Sequence, residues 1–191
     1  EASETGFARF WRAKTAMAAT EFALILPVMT LLFFGMLEGA DALSVKRKIS
    51  HAANTLTDLA AQSTEISPAE IDDLFTGVER ILEPNDTSSL TYNLVSVIRD
   101  PDSGEPVVHW SRDNAGVEPY TRGGPFTNLE DASLLNAQTS LIVVEMSYQY
   151  NSRLTHHVFG APISFSETVK RWPRRSTRVQ LCDPSPTNCT T

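Results

Sequence analysis

The sequence has few of the residues that mark catalytic and metal-binding proteins. It holds two cysteines and four histidines among 191 residues, and none of them stands in a recognisable metal-ligand or nucleophile motif. A glycine-rich phosphate loop, a Gly-x-Ser-x-Gly turn and a His-Glu-x-x-His helix are also missing from the printed sequence. We therefore expect no catalytic residues, no metal site and no cofactor.

Positive charge is also scarce. The chain carries 16 Lys and Arg against 23 Asp and Glu, a formal net charge of −7, so we expect no nucleic-acid partner. The deficit lies in residues 52–150, which hold four basic and sixteen acidic side chains, whereas both flanking segments are net positive. The middle of the chain is thus predicted to be an acidic, soluble domain, and the length leaves room for one such domain plus appendages.

One stretch lacks charge altogether. The sixteen residues from Phe22 to Leu37 carry none, and the uncharged run reaches back to Thr15 except for Glu21. At about 1.5 Å per residue this run spans roughly 34 Å, enough for a hydrocarbon layer of about 30 Å. A buried core helix and a cleaved signal peptide are the alternatives, although residues 38–41 make a poor cleavage site. We predict a membrane-spanning helix that stays attached.

Charge does not orient this helix, because basic residues flank it on both sides. They are Arg9, Arg12 and Lys14 before it and Lys46, Arg47 and Lys48 after it. Cys182 and Cys189 predict one small disulfide loop if the C-terminal region lies in an oxidising space. The alternative is half of a zinc site, which would need two more ligands, and the adjacent His156 and His157 would point to opposite faces of a strand.

Two residues of the apolar run are unusual for their place. An unpaired carboxylate such as Glu21 costs a few kcal/mol or more, roughly, at the centre of a bilayer. Glu21 either lies near the headgroup boundary and reaches water, or pairs with a specific cation inside an assembly. Pro27 either kinks the helix or is tolerated there, as prolines are in membrane helices.

The run from Ala16 to Pro27 (AMAATEFALILP), followed by an aliphatic stretch and Glu38-Gly39, resembles the N-terminal segment of TadE-type minor pilins. These pseudopilins belong to the tight-adherence, or Flp, type IV pilus, and the likeness extends more weakly over about residues 12 to 170. The resemblance implies that a prepilin peptidase cuts between Ala16 and Met17, although Ala16 stands where the family has glycine. The new amine would neutralise Glu21, which then sets the register of stacked helices that include Phe22.

The resemblance also implies the setting. The expected function is a structural minor pilin that helps initiate, cap or regulate an adhesive filament, and that is not an enzyme. Its expected partners are other pilin and minor pilin subunits, the prepilin peptidase, the pilus assembly platform and membrane lipid. Its expected place is the bacterial inner membrane, with the N-terminus cytoplasmic and the C-terminal domain periplasmic, or extracellular in the assembled pilus.

Two rival functions use the same anchor. One is a membrane-anchored periplasmic binding or sensing module that never enters a filament. The other is a tethered hydrolase, which would need a concave site that gathers several of His109, Glu145, His156 and His157.

An α+β fold is predicted. We expect a cytoplasmic leader over 1–15, a membrane-spanning helix that continues into an amphipathic stalk over 16–63, a periplasmic domain over 64–170 and a basic tail over 171–191. Glycine and proline are absent between residues 40 and 67, which favours one long helix. Ser67-Pro68-Ala69-Glu70 predicts a capping box, from which a second helix runs to about Leu82.

Alternating, β-branched runs predict a small antiparallel sheet of three to four strands. These runs are Leu90 to Arg99, Pro106 to Trp110, Ser140 to Tyr150 and Ile163 to Lys170. In the third run the even-numbered residues should form a dry face and the odd-numbered ones a mostly wet face. Residues 111–136 look like a long excursion, functional or mobile, with at most a short helix between Leu129 and Ala137.

The last feature is a basic cluster that follows the fourth strand: Lys170, Arg171, Arg174 and Arg175 around Trp172. It either contacts an acidic neighbour or anionic lipid, or is simply a solvated tail.

Overall fold

The fold is α+β, as predicted. A computed structural model describes residues 14–129, 131–152, 162–183 and 188–190. The chain divides into an N-terminal unit, Glu1–Leu43, and a C-terminal unit, Ser44–Thr191. Helix α1 (Lys14–Gln62) is the long helix that the sequence predicts. Residues 1–13 of the expected leader lie outside the described residues.

Within the C-terminal unit, α1 is one wall of the main core. It buries a periodic set of aliphatic side chains, of which Ile49, Ala52 and Leu56 are at most 1% exposed. This spacing is that of an amphipathic helix, which places one stripe of side chains against the rest of the unit. The amphipathic half of the predicted helix therefore packs on protein.

Helix α2 (Pro68–Leu82) begins at the predicted capping box. The backbone N–H of Glu70 donates to the Ser67 hydroxyl at 3.3 Å, and the Ser67 N–H donates to the Glu70 carboxylate at 2.8 Å. Two N–H groups that a helix start leaves without partners are satisfied in this way. The predicted apolar stripe faces the core, where the Phe75 ring meets Tyr92 edge-on at 4.6 Å.

The sheet has the four predicted strands, all antiparallel, in the spatial order β3-β2-β4-β5. They are β2 (Thr91–Arg99), β3 (Pro106–Asp113), β4 (Leu141–Tyr150) and β5 (Ile163–Arg171). β3 runs three residues beyond its predicted end at Trp110.

A β-bulge interrupts the pairing of β2 with β3. Ser96 lies opposite Trp110 and Val97 opposite Val108, so His109 is the extra residue. Without it, Val108 and Trp110 would lie on the same face. With it, Val108 joins the outer face of the sheet while Trp110, fully buried, joins the main core.

The outer face of the sheet corrects one expectation. The odd-numbered residues of β4 were expected to be mostly wet, but Leu141 and Val143 are 1% and 0% exposed. They belong to a second core, with Val95, Val97, Val108, Phe126, Leu129 and Leu135. The excursion 111–136 supplies part of this core, so it is a packed cover whose predicted short helix is a 3₁₀ turn at Ala132–Leu134.

The tail folds back on the C-terminal unit. Strand β6 (Gln180–Leu181) pairs in parallel with β1 (Glu65–Ile66), a pair of two-residue strands that the sequence pattern did not indicate. The buried indole N–H of Trp110 donates to the Val179 carbonyl at 2.8 Å, and the Arg174 N–H donates to the Ala61 carbonyl at 2.8 Å. The segment from Arg174 to Cys182 is thus a strap held by backbone pairing, not a loose tail.

Candidate functional site

The apolar part of α1 is the most unusual surface of the protein. The large apolar side chains from Met17 to Leu37 are 45–78% exposed. Burying a side chain of this kind is worth about 1.5–3 kcal/mol, so this surface is on the order of 20 kcal/mol less stable in water than in an apolar medium. Among the described residues this is the one helix long and apolar enough to cross a membrane. The surface is suited to an apolar environment such as lipid or other apolar helices.

Glu21 and Pro27 both lie on this surface. α1 continues through Pro27, and because proline has no N–H, the carbonyl of Ala23 cannot receive its helical hydrogen bond. Glu21 is exposed, as is Phe22 beside it. Glu21 stands four residues after Met17, which places the two on the same face of the helix about 6 Å apart. A positive charge at Met17 would therefore lie within reach of the Glu21 carboxylate.

The predicted basic cluster separates into different environments. Arg174 forms an ion pair with Asp58 of α1 at 2.6 Å, and Arg171 lies 3.9 Å from the same carboxylate. Lys170 lies near Asp131, whose pKa is lowered by hydrogen bonds from Ser133 and, to a smaller extent, by that lysine. Arg171 and Arg174 thus meet an acidic residue of their own chain, and the cluster is not one surface.

Arg175, which is exposed as well, has other acidic neighbours. It lines a groove with Glu65, Glu70 and Asp73. Arg175 therefore contributes to a different surface from Arg171 and Arg174.

Cys182 and Cys189 form the predicted disulfide. The Glu65 carboxylate lies within 4.8 Å of both sulfur atoms, a grouping that could suggest a metal ion. Cysteine binds a metal as the thiolate, however, and the sulfurs of a disulfide are not thiolates. The zinc alternative is therefore wrong for this pair.

A polar network fastens the excursion 111–136 to the outer face of the sheet. The Tyr120 hydroxyl donates to the Glu145 carboxylate at 2.6 Å, and the amide groups of Asn128 and Asn93 donate to it at 2.8 and 3.3 Å. Burial, with help from the bond to Glu145, raises the pKa of Tyr120 to about 12. The available signal for this network was Glu145 itself, the one charged residue of β4.

Of the side chains that a hydrolase would need, the two that the structure describes lie apart. His109 contacts the Ser96 hydroxyl at 3.4 Å, whereas Glu145 lies opposite Asn93. Ser96 and Asn93 are three residues apart on β2, about 10 Å along the strand, and His109 and Glu145 lie on opposite sides of that strand. The predicted candidates His156 and His157 lie outside the described residues.

The comparison with known families concerns the apolar helix. Residues 16–58 match the model of the TadE-like protein family. No curated protein and no solved structure matches the chain. The matched segment begins at the predicted cleavage position and covers Glu21, Pro27 and most of α1. The N-terminal helix therefore carries a TadE-like segment, and this likeness concerns residues 16–58 of the chain.

Proposed function

We propose that this protein is a minor pilin of the tight-adherence pilus, with a structural and not a catalytic role. The apolar part of α1 anchors it in the bacterial inner membrane until it joins the filament. The observation that carries the proposal is the exposed apolar part of α1, which holds the carboxylate of Glu21 and lies within the segment that matches the TadE-like family.

Because the apolar part of α1 is exposed, such a helix can leave the membrane only if it joins an assembly of other apolar helices. Moving it into water would be costly, so a subunit that leaves lipid must pack this helix against other apolar helices. In the proposed filament those are the equivalent helices of pilin and minor pilin subunits, delivered by the assembly platform.

Glu21 supplies the register of this packing. Cleavage by the prepilin peptidase between Ala16 and Met17 creates an amine on the helix face that carries Glu21. An ion pair in an apolar environment stabilises only when both charges are present and well placed. A helix that stacks one step out of register leaves the carboxylate without its cation, and this favours one stacking arrangement.

The disulfide supports the proposed orientation. Structural disulfides persist in oxidising compartments such as the periplasm, and Cys182–Cys189 lies in the C-terminal unit. The proposal therefore places that unit in the periplasm, the N-terminus in the cytoplasm, and the C-terminal unit outside the cell once the pilus is assembled.

The first test is the intact mass and N-terminal sequence of the protein from membranes and from sheared surface filaments. We expect the filament fraction to begin at Met17. A protein that keeps residues 1–16 and occurs only in membranes would contradict the proposal and favour a membrane-anchored sensing module.

The second test concerns Glu21. We expect Glu21→Gln to abolish piliation while the protein still accumulates in the membrane, and Glu21→Asp to keep part of it. Asp102→Asn, at an exposed turn of the C-terminal unit, is the matched control that removes one carboxylate elsewhere. Normal piliation by Glu21→Gln would contradict the role in register.

A further inference from the structure

A groove with acidic side chains lies in the C-terminal unit, where α1 ends and α2 begins. Its volume is about 540 Å³. Glu65, Glu70 and Asp73 line it with three carboxylates, and Arg175 is the one basic side chain among its lining residues. Leu59 of α1, 44% exposed, adds an apolar wall. The groove is thus suited to a basic side chain with an apolar stem.

The carboxylates of this groove are accessible to a partner, and that of Glu70 also accepts two hydrogen bonds from Ser67. All three are exposed, and hydrogen bonds from Ser67 hold the pKa of Glu70 below its usual value, so Glu70 is ionised at neutral pH. Within the described parts of the chain, neither Glu65 nor Asp73 forms an ion pair.

The same unit presents an exposed basic pair elsewhere on α1. Lys46 and Arg47 are both exposed, and neither forms an ion pair with a described residue. Lys48, the next basic residue, differs because its ammonium group donates to the Glu83 carbonyl at 2.9 Å. Lys46 and Arg47 therefore offer two positive charges to a surface outside their own chain.

These two surfaces cannot meet within one chain. Arg47 and Leu59 stand twelve residues apart on one helix, about 18 Å along its axis, which is beyond the reach of a side chain. The groove carries three negative groups and one positive group, and the basic pair carries two positive groups. The two surfaces are thus complementary in charge.

We propose that Lys46 and Arg47 of one copy dock into the groove at Glu65, Glu70 and Asp73 of the next copy. The contact is head-to-tail, because it joins two different surfaces of the same unit. Such contacts extend into an open helical row unless their rotation closes a ring. The proposal goes beyond the pilin role, because this contact needs no other pilus component.

Engineered cysteines test the contact in full-length protein in detergent. Asp73→Cys is placed in one tagged chain and Arg47→Cys in a second chain with a different tag, and the mixture is oxidised. We expect a disulfide between the two tags in at least about threefold excess over an Asp102→Cys and Arg47→Cys mixture. Wild-type chain oxidised in parallel controls for exchange with Cys182–Cys189. A yield equal to the Asp102→Cys control, or only same-tag products, overturns the proposal.

Charge reversal tests the same contact without cysteine chemistry. The double variant Lys46→Glu/Arg47→Glu should reduce self-association at least about threefold, and mixing it with Glu65→Lys/Asp73→Lys should restore it. Because the restored pair requires folded chains, misfolding cannot imitate the result. The association should also weaken in 1 M salt, where the screening length is about 3 Å.

Failure of restoration would overturn the contact between copies. An effect of Lys46→Glu/Arg47→Glu confined to flotation with anionic lipid vesicles would also overturn it, and would assign the basic pair to lipid headgroups. If either result occurs together with normal piliation, the contact between copies is wrong and the proposed pilin role is unaffected. The two proposals can therefore be tested separately.

Discussion

The two parts of α1 belong to one unbroken helix and differ completely in exposure. In the N-terminal unit Leu24 and Leu31 are 78% and 73% exposed, whereas in the C-terminal unit Ile49 and Leu56 are 1% exposed. The first part is apolar on every side, so no face of it is suited to water. The second alternates apolar and polar faces, and its apolar face folds onto α2 and the sheet. The first part of the helix is thus suited to an apolar medium, and the second part packs against a protein core.

The largest expected effect is the loss of membrane association when the apolar part of α1 is substituted. Leu24→Lys/Leu31→Lys should remove the protein from the membrane fraction, because each lysine at the centre of a spanning helix costs about 2.5–3.5 kcal/mol. Membrane flotation with quantitative blotting measures the change. Leu56→Lys is the matched control: it should unfold the C-terminal unit yet leave the protein in the membrane. Flotation lost equally in both variants would contradict the division of α1.

Milder substitutions in the two parts of α1 should differ in their effect on the free energy of unfolding. Leu56→Ala should lower the free energy of unfolding of the C-terminal unit by about 2–5 kcal/mol, because it leaves a cavity in the core. Leu24→Ala should leave that free energy unchanged, because Leu24 has no neighbours to lose in that core. Urea unfolding of the detergent-solubilised chain, followed by tryptophan fluorescence, compares the two. Equal losses would show that the core extends into the N-terminal unit.

The disulfide should affect the C-terminal unit alone. Cys182→Ser/Cys189→Ser opens a loop of eight residues, which should cost about 2.5 kcal/mol of stability through chain entropy. The strap, which pairs with β1 through β6, should loosen first. Amide hydrogen exchange at position 182, where the N–H of the wild-type protein donates to the Ile66 carbonyl at 2.9 Å, would report it. Membrane association should stay at the wild-type level. A drop in flotation would show that the disulfide acts beyond its own unit.

The smallest expected effect is the part of the alkaline pH dependence that comes from Tyr120, on the outer face of the sheet. The pKa of Tyr120 rises from 10.0 to about 12 on folding. Since the folded pKa is the higher one, the contribution of this tyrosine is complete below pH 10 and is lost as the pH rises from about 10 to about 12. Tyr120→Phe should therefore lose less stability than wild type between pH 9 and pH 11.5, as measured by urea unfolding. Identical losses would assign the alkaline sensitivity to other groups.

Features with local signals were predicted from the sequence, and features that depend on distant residues were not. The capping box at Ser67 and the four strands follow from neighbouring residues, so their positions were confirmed within one to three residues. The bulge at His109 was missed. It is needed because Val108 and Trp110 pack into different cores, and the local sequence does not show this. The pairing of Arg174 with Asp58 was missed too, since the two residues are far apart in sequence.

The sequence by itself determined the membrane-competent helix, its single carboxylate and the likeness to TadE-type proteins, because length, charge and spacing along one helix are local properties. Only the tertiary structure decided that the segment 111–136 covers a second core and that the strap pairs with β1. It also decided that two arginines of the basic cluster meet Asp58 of their own chain. Each of these depends on contacts between residues that are far apart in sequence, and such contacts cannot be predicted from the pattern of neighbouring residues.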